Sequence, residues 1–290
     1  MKSRLLLTVM VAALLTATFD LSAHSAVDDL RAPGCAERIG YHPGDTLLAI
    51  GKDVKNLPPF CFAGCPELKE VRFEPGSQCR SIGDFCFAEC TSLERIQLPD
   101  ALENLGEGVF RECRSLRELK IPAGVTTLPK EMCHRCVSLR SVSFPSKLHA
   151  VGSFAFSGCM ELDEIALPAT VKSIGSNAFT DCRALTDVVV PSGVTSLESY
   201  AFAGCRSLRR LTLAPRKNML GELIVADCPE LTEIIELSAV PPAFDCESFL
   251  FEPDDAAAYS RCTLIVKAAA LPLYRQAHGW KMFPVMIGME

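Results

Sequence analysis

The chain has 290 residues, of which 22% are charged, and its formal net charge is −6. Its hydrophobic fraction of 49% excludes an intrinsically disordered chain, because such a sequence can bury a core. The acidic balance, without any basic stripe, disfavours nucleic acid or an anionic lipid surface as the partner.

Residues 1–25 are predicted to be a secretory signal peptide. Lys2 and Arg4 precede an apolar run over residues 5–19, and the small residues Ala23 and Ala26 follow it. The run is short for a helix that must cross roughly 30 Å of hydrocarbon. We therefore expect an exported protein without membrane insertion after cleavage. Residues 26–46 carry no copy of the pattern described below and are predicted to be an irregular N-terminal segment.

The remaining chain is dominated by a repeated pattern, seen most clearly in residues 171–191, VKSIGSNAFTDCRALTDVVVP. One cysteine recurs at the same position of each copy, with one interval of 25 residues and six of 23. This period, with Leu three residues after the Cys, is typical of a leucine-rich-repeat solenoid. We predict a half-repeat cap and eight repeats over residues 47–237. The recurring cysteines are Cys65, Cys90, Cys113, Cys136, Cys159, Cys182, Cys205 and Cys228.

Each repeat is predicted to contribute one short strand to a single parallel sheet, with short turns or 3₁₀ segments on the opposite side. In residues 187–190, Val188 and Val190 point inward because side chains alternate across a strand. Pro191 ends the strand since it has no N–H to donate. The other predicted core positions of this repeat are Val171, Ile174, Phe179, Cys182 and Leu185.

A glycine often follows the second aliphatic position, as at Gly106 and Gly152, but Pro58 and Pro129 occupy that position in two copies. Proline holds φ near −65°, so this position does not require a left-handed backbone. We expect close backbone approach to be the reason for the glycine.

Residues 238–290 are predicted to form a C-terminal capping repeat. The pattern decays after Leu237, and a strand-like stretch at residues 264–266 is followed by Tyr274, Trp280 and Phe283. Large aromatic side chains can cover the open hydrophobic end of a solenoid.

The motif I-G-x-x-A-F-x-x-C-x-x-L-x-x-[IV]-x-[LV]-P, present in residues 174–191, resembles the BspA-like leucine-rich repeats of exported bacterial and protist surface proteins. The segment with Tyr274 and residues 279–283 is similar to the closing segment of that family, so the resemblance covers about residues 47–285. It implies adhesion to a protein ligand such as an extracellular matrix or cell-surface protein. It also implies a location at the cell surface, in the periplasm or outside the cell.

Some cysteine spacings resemble redox or metal-binding motifs, but the positions of these cysteines in the repeat indicate a structural role. Cys133 and Cys136 have the spacing of a redox or metal motif, yet both fall on core positions. Cys61 and Cys86 fall on a position for a small buried residue. The recurring cysteines are predicted to be free thiols, because parallel Cβ vectors on rungs about 4.8 Å apart do not suit disulfide geometry.

Cys246 with Cys262 is the pair most compatible with a disulfide. The sequence leaves open whether Cys35, Cys246 and Cys262 are bridged.

No catalytic pattern is present in the sequence. The five histidines show neither H-x-x-x-H nor paired-carboxylate spacing, and there is no nucleophile elbow, phosphate loop or calcium loop. We therefore predict a protein that is not an enzyme and that uses no cofactor or metal.

The outward strand positions form two rows that are candidates for binding. In the first row, Glu70, Arg95 and Glu118 alternate in sign, which favours sheet stabilisation over recognition. The second row becomes apolar from Ala166 onward. We predict ligand contacts on the strand face of the later repeats, while the alternative that Val and Ile there simply favour strands stays open. The predicted residues are Glu164, Ala166, Asp187, Val189, Arg210, Thr212, Glu233 and Ile235.

A rival surface carries the aromatics Phe60, Phe85, Phe154 and Tyr200, which are expected to pack between turns. The favoured function is an exported, adhesin-like binding protein. The alternatives are a periplasmic or cell-surface scaffold or assembly protein and a glycan-binding module. A glycan binder would favour exposed aromatic platforms, which the two rows lack. The ligand, the final compartment and the oligomeric state do not follow from the sequence.

Overall fold

The computed structural model describes residue 36 and residues 39–214, 220–244, 250–252 and 255–290. The predicted signal peptide, Cys35 and Cys246 lie outside these ranges. Within them, no helix combines the length and the hydrophobicity that a membrane span requires.

Each repeat forms one turn of the solenoid, called a rung, and successive rungs stack so that the solenoid has three walls. A strand wall holds the longer strands, a short-strand wall holds two-residue strands, and a turn wall joins them; every strand pair is parallel. The longer strands are β1 (Leu47–Ile50), β3 (Glu70–Phe73), β5 (Arg95–Gln97), β7 (Glu118–Lys120), β9 (Ser141–Ser143), β12 (Asp187–Val190), β14 (Arg210–Leu213), β15 (Glu233–Glu236), β16 (Thr263–Lys267) and β17 (Met286–Met289). The two-residue strands are β2 (Asn56–Leu57), β4 (Ser81–Ile82), β6 (Asn104–Leu105), β8 (Thr127–Leu128), β10 (Ala150–Val151), β11 (Ser173–Ile174) and β13 (Ser196–Leu197).

The predicted inward positions are confirmed. Leu48 and Ile50 are buried in β1, the half-repeat, and Val188 and Val190 are buried in β12. The phenylalanines of the turn wall stack on one another, with centroids 5.4 Å apart for Phe156 and Phe179 and the same for Phe179 and Phe202. The core is therefore one continuous apolar column rather than a series of separate clusters.

The recurring cysteines form a ladder of thiol hydrogen bonds. The Sγ atom of Cys182 donates to the carbonyl oxygen of Phe156, 3.3 Å away in the preceding rung, and Cys136 does the same to Phe110 at 3.0 Å. The carbonyl oxygen of Phe156 also accepts the backbone N–H of Cys159 at 3.1 Å, so the thiol uses its second lone pair. A thiol is a small apolar group with a weak donor, which suits this buried position. The same bond is made by Cys90, Cys113, Cys159, Cys205 and Cys228.

These seven cysteines are free thiols, as predicted. Burial raises the pKa of the Cys228 thiol to about 12.

One prediction about the remaining cysteines was wrong, and one was incomplete. Cys61 is buried, as expected, but it is also disulfide-bonded, which its position in the repeat did not indicate. Cys262 is a buried free thiol and is not bridged to Cys246. It directly follows a helix, and its backbone N–H caps that helix by bonding to the carbonyl oxygen of Ala258. Cys86 is buried and unbridged, as expected.

The turns explain the glycine position and reveal a feature that the sequence did not indicate. A Cβ atom on Gly106 would lie 2.3 Å from the backbone nitrogen of Asp84, which confirms close approach as the reason for the glycine. Left-handed backbone occurs instead at two turn positions of each repeat, as at Phe85 (φ 53°) and Glu89 (φ 60°). Non-glycine residues occupy most of these positions, so no glycine pattern marked them.

The C-terminal segment covers the end of the solenoid with the predicted aromatics. It contains helices α1 (Ala256–Arg261) and α2 (Leu271–Tyr274), with 3₁₀ turns at Ala268–Ala270 and Trp280–Met282. Trp280 and Tyr274 are fully buried with ring centroids 5.3 Å apart, and the Trp280 Nε1 atom donates to the carbonyl oxygen of Pro242 at 2.8 Å.

Candidate ligand-binding face

The strand wall is interrupted where β5 and β7 should meet. These strands are not paired, and β6 and β8 are also unpaired on the short-strand wall. Pro129 accounts for the second break, because the equivalent Gly152 donates its N–H to the carbonyl oxygen of Leu128 at 3.0 Å and proline has no such donor. The turn wall stays continuous there, with Gly108 donating to Lys130 at 2.9 Å.

An open groove of about 580 Å³ lies on the strand side of this break. We call it the early groove. Its lining carries both signs of charge, with Glu94, Arg95, Arg117 and Glu118 among the residues. Because acidic and basic side chains both line this groove, it does not favour a ligand of one charge.

A second interruption falls inside the predicted site and corrects the prediction there. Residues 164–167 were expected to form a strand, yet they make no ladder with β9 or β12. This segment has a single β-branched residue, Ile165, whereas β12 has three, and β-branched side chains favour strands. Side-chain alternation nevertheless persists, because Ile165 is buried while Glu164 and Ala166 are exposed.

The break leaves a wide groove of about 820 Å³ between residues 163–169 and residues 186–192, which we call the late groove. Its apolar lining includes Ile165, Ala166 and Val189. Its charged lining comes only from the acids Asp163, Glu164 and Asp187. Neither Asp163 nor Glu164 forms an ion pair with any residue in the described ranges. Their charges are therefore available to a cation, and no basic side chain lines the groove.

The first predicted row is organised by Arg210 in the later repeats. Its guanidinium bridges the two neighbouring strands, at 3.3 Å from Asp187 and 2.7 Å from Glu233. The hydrogen bond to Glu233 raises the pKa of Arg210, so the group stays charged. In the early strands, the alternating charges of Glu70, Arg95 and Glu118 do not form such a bridge between strands. Glu70 instead pairs with Arg72 of its own strand at 2.7 Å.

The second predicted row is longer than the sequence indicated. The pairing register places Val189 beside Thr212, Thr212 beside Ile235, and Ile235 beside Ile265 and then Ile287. We call these five residues the apolar row. Ile265 and Ile287 were missed because they lie in the capping segment, outside the period that defined the earlier positions. The short apolar runs at residues 264–266 and 285–287 are the sequence signal that could have located them.

Exposure along the apolar row is uneven. Val189 is 59% exposed and Ile287 is 50% exposed, whereas Thr212, Ile235 and Ile265 are half-buried. The two ends of the row are thus its accessible apolar points; they lie on β12 and β17, with β14, β15 and β16 between them. The predicted residues share one face, with Glu164 and Ala166 across the late groove from the others.

The aromatic turn residues and the Cys-His-Arg-Cys stretch do not form a competing site. Phe60 and Phe85 stack at 5.2 Å and are half-buried, in agreement with packing between turns. Cys133 and Cys136 are fully buried free thiols. Burial lowers the pKa of His134 to about 4, so this side chain is neutral at physiological pH. No cluster of metal-binding side chains occurs in the ranges that the structure describes.

One buried acid lies beneath the face at the join between the repeats and the cap. Glu236 occupies an inward position of β15, between Leu213 and Val266, and has no exposed surface. One carboxylate oxygen accepts from the Ser238 N–H at 2.8 Å, and the other has no partner in the structure. Burial raises the pKa of Glu236 to about 7.

Three walls that repeat every 23 residues around an aliphatic, phenylalanine and thiol core define a leucine-rich-repeat solenoid. The profile of the BspA type leucine rich repeat region matches residues 46–159 and 126–241. The chain belongs to this BspA-type leucine-rich-repeat family, as its motif resemblance indicated.

Three solved structures are similar to this chain, and the first of them supports the fold. A leucine-rich-repeat protein from Bacteroides ovatus is 20% identical, with 84% of this chain and 73% of that chain covered and a TM-score of 0.54. A leucine-rich-repeat protein of T. pallidum is 31% identical over 65% of this chain and 78% of that chain, with a TM-score of 0.47. A leucine-rich cell surface protein from Faecalibacterium prausnitzii is 19% identical over 84% and 79%, with a TM-score of 0.49. No curated protein matches the sequence.

Proposed function

We propose that this chain is an exported, non-enzymatic binding protein of the adhesin type, and that it binds a protein ligand on the strand face of its later repeats. The observation that carries the proposal is the late groove, which has an apolar lining and whose only charged lining residues are acidic. Apolar surface surrounded by charge is a common property of protein interaction sites. Export is supported by the N-terminal pattern of a signal peptide, and one similar protein is described as a cell surface protein.

The chemistry of the groove selects the kind of ligand. Asp163 and Glu164 would attract a lysine or arginine side chain, whose aliphatic stem can lie on Ala166 and Val189. The apolar row beyond the groove would accept aliphatic or aromatic side chains. We therefore expect a ligand segment that places a basic residue next to apolar ones, as an extended peptide or a protein edge does.

The alternative of glycan binding has less support. Sugar recognition commonly uses exposed aromatic rings, and the outward positions of β12, β14, β15, β16 and β17 carry none. The alternative of an assembly protein is favoured by the edge of β17 with which no described strand pairs.

The test compares two matched double variants with the parent on a panel of purified extracellular matrix proteins. Val189→Lys with Ile235→Lys places two charges on the apolar row, and we expect binding to weaken by roughly tenfold or more. Gln97→Lys with Ser143→Lys places the same charges at outward positions of β5 and β9 and should leave binding unchanged.

Equal binding by the first variant and the parent would rule out this face. Fractionation of the producing cells addresses export separately, because a chain retained in the cytoplasm would contradict the adhesin function.

A further inference from the structure

Strand β17 ends the sheet with one edge unpaired. It pairs with β16, and no other strand of the described ranges lies on its far side. The carbonyl oxygen of Val285 accepts a hydrogen bond from the Leu264 N–H at 3.0 Å. Because backbone groups alternate in direction along a strand, those of Val285 and Ile287 face β16, whereas those of Met286 and Gly288 face the open edge.

The open edge lacks the features that usually prevent strands from joining. Soluble proteins protect exposed edges with lysine, proline, bulges or a covering segment. Residues 285–289, with the sequence VMIGM, contain neither a charge nor a proline. Val285 is 45% exposed and Ile287 is 50% exposed, so the apolar character reaches the surface.

We propose that the open edge of β17 pairs with β17 of a second copy of this chain, in antiparallel orientation about a twofold axis. With Ile287 at the centre, Met286 lies opposite Gly288 of the second copy, and the reciprocal pair lies on the other side of the axis. Both residues direct their N–H and C=O groups outward, so the two pairs form four backbone hydrogen bonds. Two five-stranded segments, β12 to β17, then join into one sheet.

A second copy fits this edge better than an unrelated strand for two reasons. A twofold contact brings the same surface together from both sides, and an uncharged strand meets itself without like-charge repulsion. The apolar row also continues across the axis, because Ile287 faces the same side as Ile265 and Ile235 and would lie beside Ile287 of the second copy. The contact therefore extends an apolar surface that already exists within each copy.

The contact is independent of the late groove, which lies four strands away from β17 at β12. This separation makes the dimer distinguishable from ligand binding. Val189→Lys should leave the dimer intact, whereas a change at Ile287 should dissociate it.

Sedimentation equilibrium of the exported chain, residues 26–290, tests the proposal. We expect a reversible dimer whose dissociation constant rises roughly tenfold or more in Ile287→Lys, because two lysines would face each other at the axis. Ile287→Thr keeps a β-branched side chain, so it tests whether the loss of dimer in Ile287→Lys comes from loss of the strand itself. We expect its dissociation constant to lie between those of the parent and Ile287→Lys. Val240→Lys is the matched control, since Val240 is 68% exposed and lies outside the strands, and it should not change the dimer.

Hydrogen exchange identifies the edge directly. The amides of Met286 and Gly288 should be protected at dimer concentrations and should lose that protection on dilution and in Ile287→Lys. A monomer at every concentration would overturn the proposal. So would a dimer that persists in Ile287→Lys, or one in which these two amides exchange freely.

Discussion

Glu236 gives the cap a dependence on pH that can be worked out from its position. Its pKa is raised from 4.5 to about 7 because the carboxylate is buried among aliphatic side chains of the strand wall. The folded state therefore prefers the protonated acid. This stabilisation is complete below about pH 4.5 and is lost as the pH rises to about 7. At about 1.4 kcal/mol for each pKa unit, ionisation costs the folded state on the order of 3 kcal/mol.

Glu236→Gln removes the ionisation and keeps an oxygen that can accept from the Ser238 N–H. We expect this variant to match the parent near pH 5 and to exceed its free energy of unfolding by up to about 3 kcal/mol at pH 8. Urea unfolding followed by fluorescence is the assay. Trp280 is the only tryptophan of the chain and lies buried in the cap, so its emission reports this region.

The control is Glu230→Gln, which removes a carboxylate from an exposed position and should show no such trend with pH. The reasoning is refuted if the difference between Glu236→Gln and the parent does not grow between pH 5 and pH 8. It is also refuted if the control shows the same growth.

Three further predictions concern the repeats. Gly152→Ala should lower the free energy of unfolding by about 1–3 kcal/mol, because its Cβ would lie 2.6 Å from the carbonyl carbon of Pro129. Gly51→Ala is the control and should have a far smaller effect, because Gly51 has open space around it. Equal losses of stability in the two variants would contradict close backbone approach as the reason for the glycine. Cys182 should resist iodoacetamide until the chain unfolds, and its alkylation in the native protein, measured by mass spectrometry, would show that the thiol ladder is accessible. A chain that ends at Leu237 should aggregate, because it exposes the edge of β15 that β16 covers. A stable monomer in light scattering would contradict a capping role for residues 238–290.

Much of the fold could be predicted because each position of the repeat has the same structural environment in every copy. The inward positions Val188 and Val190 and the turn position Phe179 follow from a period that returns at 23 residues. The glycine explanation also followed, since Pro129 in the same position ruled out a left-handed backbone as a general requirement. The buried aromatics of the cap were predictable from their concentration after the last repeat.

The parts that were not predictable depend on contacts between rungs. The sequence period does not show whether residues 164–167 pair with their neighbours, because pairing depends on the relative placement of two rungs. The same holds for Ile265 and Ile287, which enter the apolar row through a register that the capping segment does not encode as a repeat. The disulfide at Cys61 and the free thiol at Cys262 depend on three-dimensional proximity that spacing alone does not give.

Hydrogen exchange of residues 26–290 tests the central proposal most directly, measured with and without the matrix protein that gives the tightest binding in the panel described above. The account predicts that the ligand slows exchange in residues 163–169 and 186–192, the two sides of the late groove, and in the outer residues of β14 and β15. It predicts no change in β3 and β5, which lie on the same wall in the earlier repeats. Protection confined to β3 and β5, or to the turn wall, would contradict a binding site on the late strand face.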